Sequence, residues 1–132
     1  MKYDTSVGFI IYNNEHQFLL LQKVIDNHWD FPKGHFNLGE TEELQVALRE
    51  LEEETEITLN EIKIADSFRH EHTFSNPNGV QRKIVLFLAK CNKDPILSKE
   101  HREFIWVKLD KAKELMCFPE KQKALQEAAE FL

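Results

Sequence analysis

Apolar residues recur along this chain in two rhythms, and the change between them marks out the elements. Val7 to Tyr12 and Phe18 to Lys23 are short runs of apolar and β-branched residues. Asn13-Asn14-Glu15 between them are turn formers, so the pair predicts a hairpin. Trp29 to Glu40 contains Pro32, Gly34 and Gly39 and predicts a loop. The rhythm then changes. With Leu44 as zero and about 100° per residue, Ala47, Leu48, Leu51 and Thr55 fall within about 60° of it, which predicts a helix capped by Thr41 and running to Thr55. Strands are predicted at Ile62 to Arg69, Lys83 to Lys90 and Phe104 to Lys108, with a turn at Asn76-Pro77-Asn78-Gly79 between the first two. Asp110 reads as the cap of a short helix to Met116, and Pro119 as the first residue of a final helix through Phe131. No repeat or linker interrupts the pattern, so residues 1–132 are expected to form one domain.

Composition narrows the class. At 132 residues with 42% hydrophobic content, the chain suits one core, and four Gly and four Pro exclude a collagen-like or disordered chain. No apolar run approaches the roughly 20 residues of a membrane span, and the first residues turn polar too early for a secretory leader. A soluble, cytoplasmic protein without a membrane partner is expected. Cys91 and Cys117 are read as reduced, mostly buried thiols.

The net charge of -6 argues against a duplex nucleic-acid partner, but its distribution is more telling. Between Glu40 and Glu61 stand nine Glu against Arg49 alone, leaving the rest of the chain with 16 bases and 14 acids. On the helical wheel Glu50, Glu53 and Glu54 share one flank, at about 240°, 180° and 280°, while Glu52 lies near 80°. Carboxylates crowded on one flank repel one another, and hard oxygen ligands of this kind suit Mg²⁺ or Mn²⁺ bridging to phosphates. The preceding Phe31-Pro32-Lys33-Gly34-His35 adds a glycine that admits close backbone approach, with cationic or donor side chains beside it. His70 and His72 alternate onto one strand face, but no further ligand stands at metal spacing, and they are read as surface or loop-facing.

Loop and helix together resemble the signature of the Nudix hydrolases, G-x5-E-x7-R-E-U-x-E-E-x-G-U, where U is a bulky aliphatic residue. Gly34 and Glu40 match its front, and Arg49-Glu50-Leu51-Glu52-Glu53-Glu54 with Ile57 its back. There are two departures. Eight residues separate Glu40 from Arg49, and Glu56 stands where the pattern has its late glycine. Gly8-Phe9-Ile10-Ile11, Phe18 to Gln22, His28-Trp29, Leu97 to His101 before Trp106, and the ending Lys123 to Leu132 are similar to the asymmetric diadenosine tetraphosphate hydrolases within that family.

The resemblance implies an α/β fold, an α/β/α sandwich around a mixed β-sheet, and metal-dependent hydrolysis of diadenosine tetraphosphate to ATP and AMP. It implies Glu50 and Glu54 as metal ligands, Glu53 as a ligand or a group orienting water, and Arg49 paired with Glu40 or Glu53. Glu100 matches the downstream acid that binds metal or deprotonates water. Lys33, Gly34, His35 and Lys83 are expected to meet phosphates, and Phe131 to stack on adenine. The partner implied is a small dinucleoside polyphosphate or nucleotide. Other readings are a different Nudix activity, on RNA 5′ ends or damaged nucleotides, and a non-catalytic nucleotide-binding regulator of the same fold.

Overall fold

The computed structural model describes residues 3–132. Among them an eight-stranded sheet is flanked by three α-helices. The strands are β1 (Asp4–Tyr12), β2 (Phe18–Lys23), β3 (Trp29–Asp30), β4 (Lys33–His35), β5 (Lys63–Ile64), β6 (His70–Ser75), β7 (Gln81–Lys90) and β8 (His101–Val107). The helices are α1 (Glu43–Thr55), α2 (Leu109–Met116) and α3 (Pro119–Phe131), with a 3-10 turn at Leu59–Glu61. The sheet is mixed: β1 runs parallel to β7, and the other pairings are antiparallel.

Both faces are covered, which explains why the central strands read as unbroken apolar runs. Val7, Phe9 and Ile11 alternate onto one face with Val85 and Ala89, and pack on Val46, Ala47 and Leu51 of α1. Ile10 turns the other way with Leu86 and Leu88, onto Ala112 and Met116 of α2 and Ala124, Leu125 and Ala128 of α3. The expected α/β/α sandwich is what forms.

Two strands lie inside the segment expected to be a loop, and they matter for the site. β1 and β2 pair at the hairpin, Tyr12 opposite Phe18, and then diverge. The chain from Trp29 to His35 bridges the gap: Asp30 pairs with Leu21 of β2, and Lys33 with Gly8 of β1. The Phe9 N–H donates to the Pro32 carbonyl at 3.0 Å. A Cβ on Gly8 would lie 2.2 Å from that carbonyl oxygen and 2.3 Å from the Lys33 Cβ, so a glycine is what lets this segment wedge in.

Other boundaries also shift. Glu42, not Thr41, is the N-cap of α1, without a side-chain cap bond, and Lys108, not Asp110, precedes α2. The strand expected from Ile62 to Arg69 is only β5, and β6 begins at His70. Cys91 is buried, but Cys117 is exposed, at a left-handed helix end with φ 49°. No helix among the described residues is long and apolar enough to cross a membrane.

Candidate active site

Helix α1 presents its acids over the bridging segment. Its buried set is Val46, Ala47, Leu51, Glu54 and Thr55, whereas Leu44 and Leu48 are only partly covered. The buried arc is thus turned toward the carboxylate flank, so that Glu54 goes inside with only 6% of its surface exposed. Burial first, and then the negative charge of Glu50, push the Glu54 carboxyl well above the usual carboxylate range; Lys33 opposes this and Glu100 adds to it. The Lys33 backbone N–H donates to Glu54 at 3.3 Å. A Cβ at Gly34 would come within 2.1 Å of the Glu50 carboxyl, so Gly34 keeps the space that Glu50 fills.

Arg49 organises the remaining acids. Its guanidinium donates to both oxygens of Glu40, at 2.8 and 2.9 Å, to Glu50 at 2.8 Å, to Glu53 at 2.8 and 2.9 Å, and to the His35 carbonyl at 2.8 Å. Glu40 and Glu53 are therefore both partners, where either alone was expected. The extra residue before Arg49 is taken up in the extended stretch ahead of α1, and Glu40 still reaches the guanidinium in the two-pronged geometry that makes such pairs strong. Glu56 takes the left-handed conformation, φ 59°, that the late glycine of the pattern would adopt more easily.

Glu100 arrives from a distant part of the chain by way of the helix end. The Ser98 N–H donates to the Glu54 carbonyl at 3.1 Å and the Ile96 N–H to the Thr55 carbonyl at 2.9 Å, satisfying carbonyls that α1 leaves free. The Glu100 carbonyl then accepts from Val24 at 2.9 Å. This places Glu100 on the wall of a cleft of about 740 Å³, shared with Glu50, Glu53, Glu54, Lys33, Gly34 and His35. His101 behind it is buried, which lowers its pKa, and its Nε2 stands 4.0 Å from Glu54.

The other wall is cationic: Lys23, Asp30 and Lys33 line the cleft, Lys121 reaches Asp30 from a smaller cavity behind it, and of these the sequence reading had only Lys33. Asp30 is almost fully buried, with Lys33 at 2.9 Å, Lys121 at 3.2 Å and Lys23 at 3.7 Å. Burial alone would raise the Asp30 pKa, but the charges of Lys33, Lys121 and Lys23 outweigh it and bring it to about 2. Lys121 is lowered from the ordinary lysine value because its own burial outweighs the pull of Asp30. Asp30 had a possible signal in the bridging segment, being an acid beside Trp29 and Phe31 that can be buried only if paired. Lys121, on a helix that begins 89 positions after β3 ends, had none.

Two expected substrate contacts lie elsewhere. Lys83 points to the opposite face of β7 from Ile84, 3.6 Å from Glu71. Phe131 packs edge-to-face on Phe68, with ring centroids 5.6 Å apart. His70, read as surface or loop-facing, is buried.

Comparison with known proteins gives the family. The family model described as NUDIX domain matches residues 2–128, and the chain belongs to the Nudix family. Within it, the chain is 38% identical to the asymmetrical bis(5'-nucleosyl)-tetraphosphatase of Rattus norvegicus over 128 residues, covering 91% of this chain and 83% of that one. It is 35% identical to the protein of the same name from Caenorhabditis elegans, covering 96% and 95%. The crystal structure of a C. elegans Ap4A hydrolase binary complex superposes with a TM-score of 0.89 at 31% identity, covering 96% of each chain.

Proposed function

We propose that this chain hydrolyses diadenosine tetraphosphate asymmetrically, to ATP and AMP, with Mg²⁺ or Mn²⁺ as cofactor. The observation that carries the reading is the two-sided cleft, acidic on α1 and cationic around Asp30, in a chain similar over most of its length to relatives named for that activity. A divalent cation fits the acidic side: Glu50 and Glu54 crowd together with Glu100 facing them, and Glu54 is buried beyond what its own neighbours compensate. Glu50 and Glu54 would hold the cation, with Glu53 or Glu100 adding an oxygen, and when bound it supplies neutralisation of the phosphate oxygens.

The chain's own groups do the rest. Glu100, exposed on the cleft wall, accepts a proton from the attacking water. Arg49 fixes Glu50 and Glu53 in position. Lys33, Lys23 and Lys121 carry two positive charges more than Asp30 cancels and hold the polyphosphate chain. His35, steadied through Nδ1 by Ser6 at 3.3 Å and Asp4 at 3.1 Å, lines the cleft beside the phosphates, and Gly34 lets the backbone approach closely.

The test is incubation with diadenosine tetraphosphate and Mg²⁺ in ¹⁸O-labelled water, with products and label position read by mass spectrometry. ATP and AMP, with label in one of them, are expected. Binding without metal-stimulated turnover would instead indicate a regulator. Turnover confined to triphosphorylated RNA ends or damaged nucleoside triphosphates would indicate another Nudix activity.

A further inference from the structure

A second group of ligand-type side chains stands apart from the acidic wall, where β6 meets α3. In β6, His70 and His72 lie opposite Leu86 and Ile84 of β7 and so face the helix layer formed by α2 and α3. From α3 come Glu120 and Glu127, seven positions apart and hence on one side of the helix. Ligand atoms of His70, His72 and Glu120 lie within 4.8 Å of one another.

The hydrogen bonds assign the ring nitrogens. His70 Nδ1 is 2.7 Å from the Glu127 carboxylate, which can only accept, so Nδ1 carries the proton and the His70 Nε2 lone pair is free. That Nε2 faces His72 Nδ1 at 2.9 Å. Two imidazole nitrogens bound to one zinc ion at about 2.05 Å would be about 2.9 Å apart at a right angle and about 3.4 Å apart at the tetrahedral angle. The observed separation is that of a hydrogen bond between the two rings, which would part by about 0.5 Å and turn both lone pairs inward to share one tetrahedral cation. A carboxylate on the far nitrogen of a ligating histidine is also the usual support that fixes its tautomer and ring orientation. His72 also shares a small cavity with Lys23, Lys33, Lys121 and Asp30, so a cation there would rely on the charges of Glu120 and Glu127 to offset the lysines.

We propose that His70, His72 and Glu120 form a binding site for a transition-metal cation of the zinc type, oriented by Glu127, that ties α3 to β6 independently of the α1 carboxylates. Two imidazoles and one carboxylate select such an ion over Mg²⁺, which prefers oxygen ligands and keeps its water. When the ion enters, the proton on His72 Nδ1 moves to its Nε2 through solvent, so both rings bind as neutral imidazole.

The experiment measures Zn²⁺ bound by the full chain in excess Mg²⁺, by competition with a chromogenic chelator, alongside amide hydrogen exchange of α3. One zinc equivalent is expected to persist in a Glu50→Gln/Glu54→Gln variant and to disappear in His72→Ala and in Glu120→Gln. Glu127→Gln should weaken it by about 10- to 100-fold. Zinc should also slow exchange in the first turns of α3. His72 is partly exposed, so His72→Ala against the unaltered chain gives the one-equivalent difference even if the double variant folds poorly. Zinc binding unchanged in His72→Ala, or abolished with Glu50 and Glu54 while circular dichroism shows that variant folded, would overturn the proposal.

Discussion

The two walls of the cleft are electrostatic inverses. On α1 one guanidinium, Arg49, gathers the three carboxylates Glu40, Glu50 and Glu53; across the cleft one carboxylate, Asp30, gathers the three ammonium groups of Lys23, Lys33 and Lys121. Each centre is outnumbered, so each wall keeps an excess of its own sign: negative beside α1, where the cation is proposed, and positive around Asp30, where the phosphates are proposed. The difference is in depth. Arg49 has a side chain 24% exposed and depends on directed hydrogen bonds, whereas Asp30 is 3% exposed and depends on charge in a less polar setting. The acidic wall is therefore built for positioning and the cationic wall for holding a field. Substitutions should separate the two.

The largest effect is expected on the acidic wall. Glu50→Gln removes a proposed ligand while keeping its shape beside Gly34, and metal-stimulated turnover should fall by at least about 100-fold, measured by steady-state kinetics across a Mg²⁺ titration. An unchanged rate would remove Glu50 from the metal site. Next comes Asp30. Its pKa is depressed in the folded chain, from 3.8 to about 2, so the stability it contributes is complete above 3.8 and drains away as pH falls toward 2. That contribution is on the order of 2 kcal/mol, and Asp30→Asn should lose it at neutral pH and flatten the acid limb of a denaturation series. If Asn left both stability and acid sensitivity intact, the lysines would not depend on Asp30.

Arg49→Lys tests positioning without changing charge. A lysine cannot grip Glu40 with two parallel bonds while also reaching Glu50 and Glu53, and turnover should drop by about 10-fold with the fold preserved by circular dichroism. The smallest effect is a gain. Glu56→Gly relieves a left-handed non-glycine residue and should raise unfolding stability by about 1 kcal/mol in a urea titration, with no change in rate.

What could be read from the sequence divides along the same line as the walls. The helix of α1, its acids and the Arg49 pairings follow from residues close together in the chain, where a 3.6-residue period and fixed spacing carry three-dimensional information. The alternation of apolar residues in β1 and β7 likewise foretells strands buried on both faces. The cationic wall joins β2, the bridging segment and α3, and no local pattern connects Lys23 to Lys121. The inward turn of Glu54 escaped for a different reason. A wheel with Leu44 at zero puts Ala47, Leu48, Leu51 and Thr55 around it, yet Leu44 and Leu48 stay at the edge, while Val46 on the acidic side goes fully inside and rotates the helix. The short strands β3 and β4 were hidden because Pro32 and Gly34 signal a loop, yet each sits where a bridging segment tolerates it. Glu120 illustrates the same distance effect: 48 positions beyond His72, it could not be recognised as a neighbour.

The close fit of Gly8 under Pro32 and Lys33 makes one missing side chain a keystone for both walls. Lys33 offers its ammonium to Asp30 and its amide to Glu54, so lifting this residue by even a fraction of an ångström would disturb cation capture and anion capture together. Alanine at position 8, remote from any reacting atom, should therefore act as a double lesion that no single repair on either side restores.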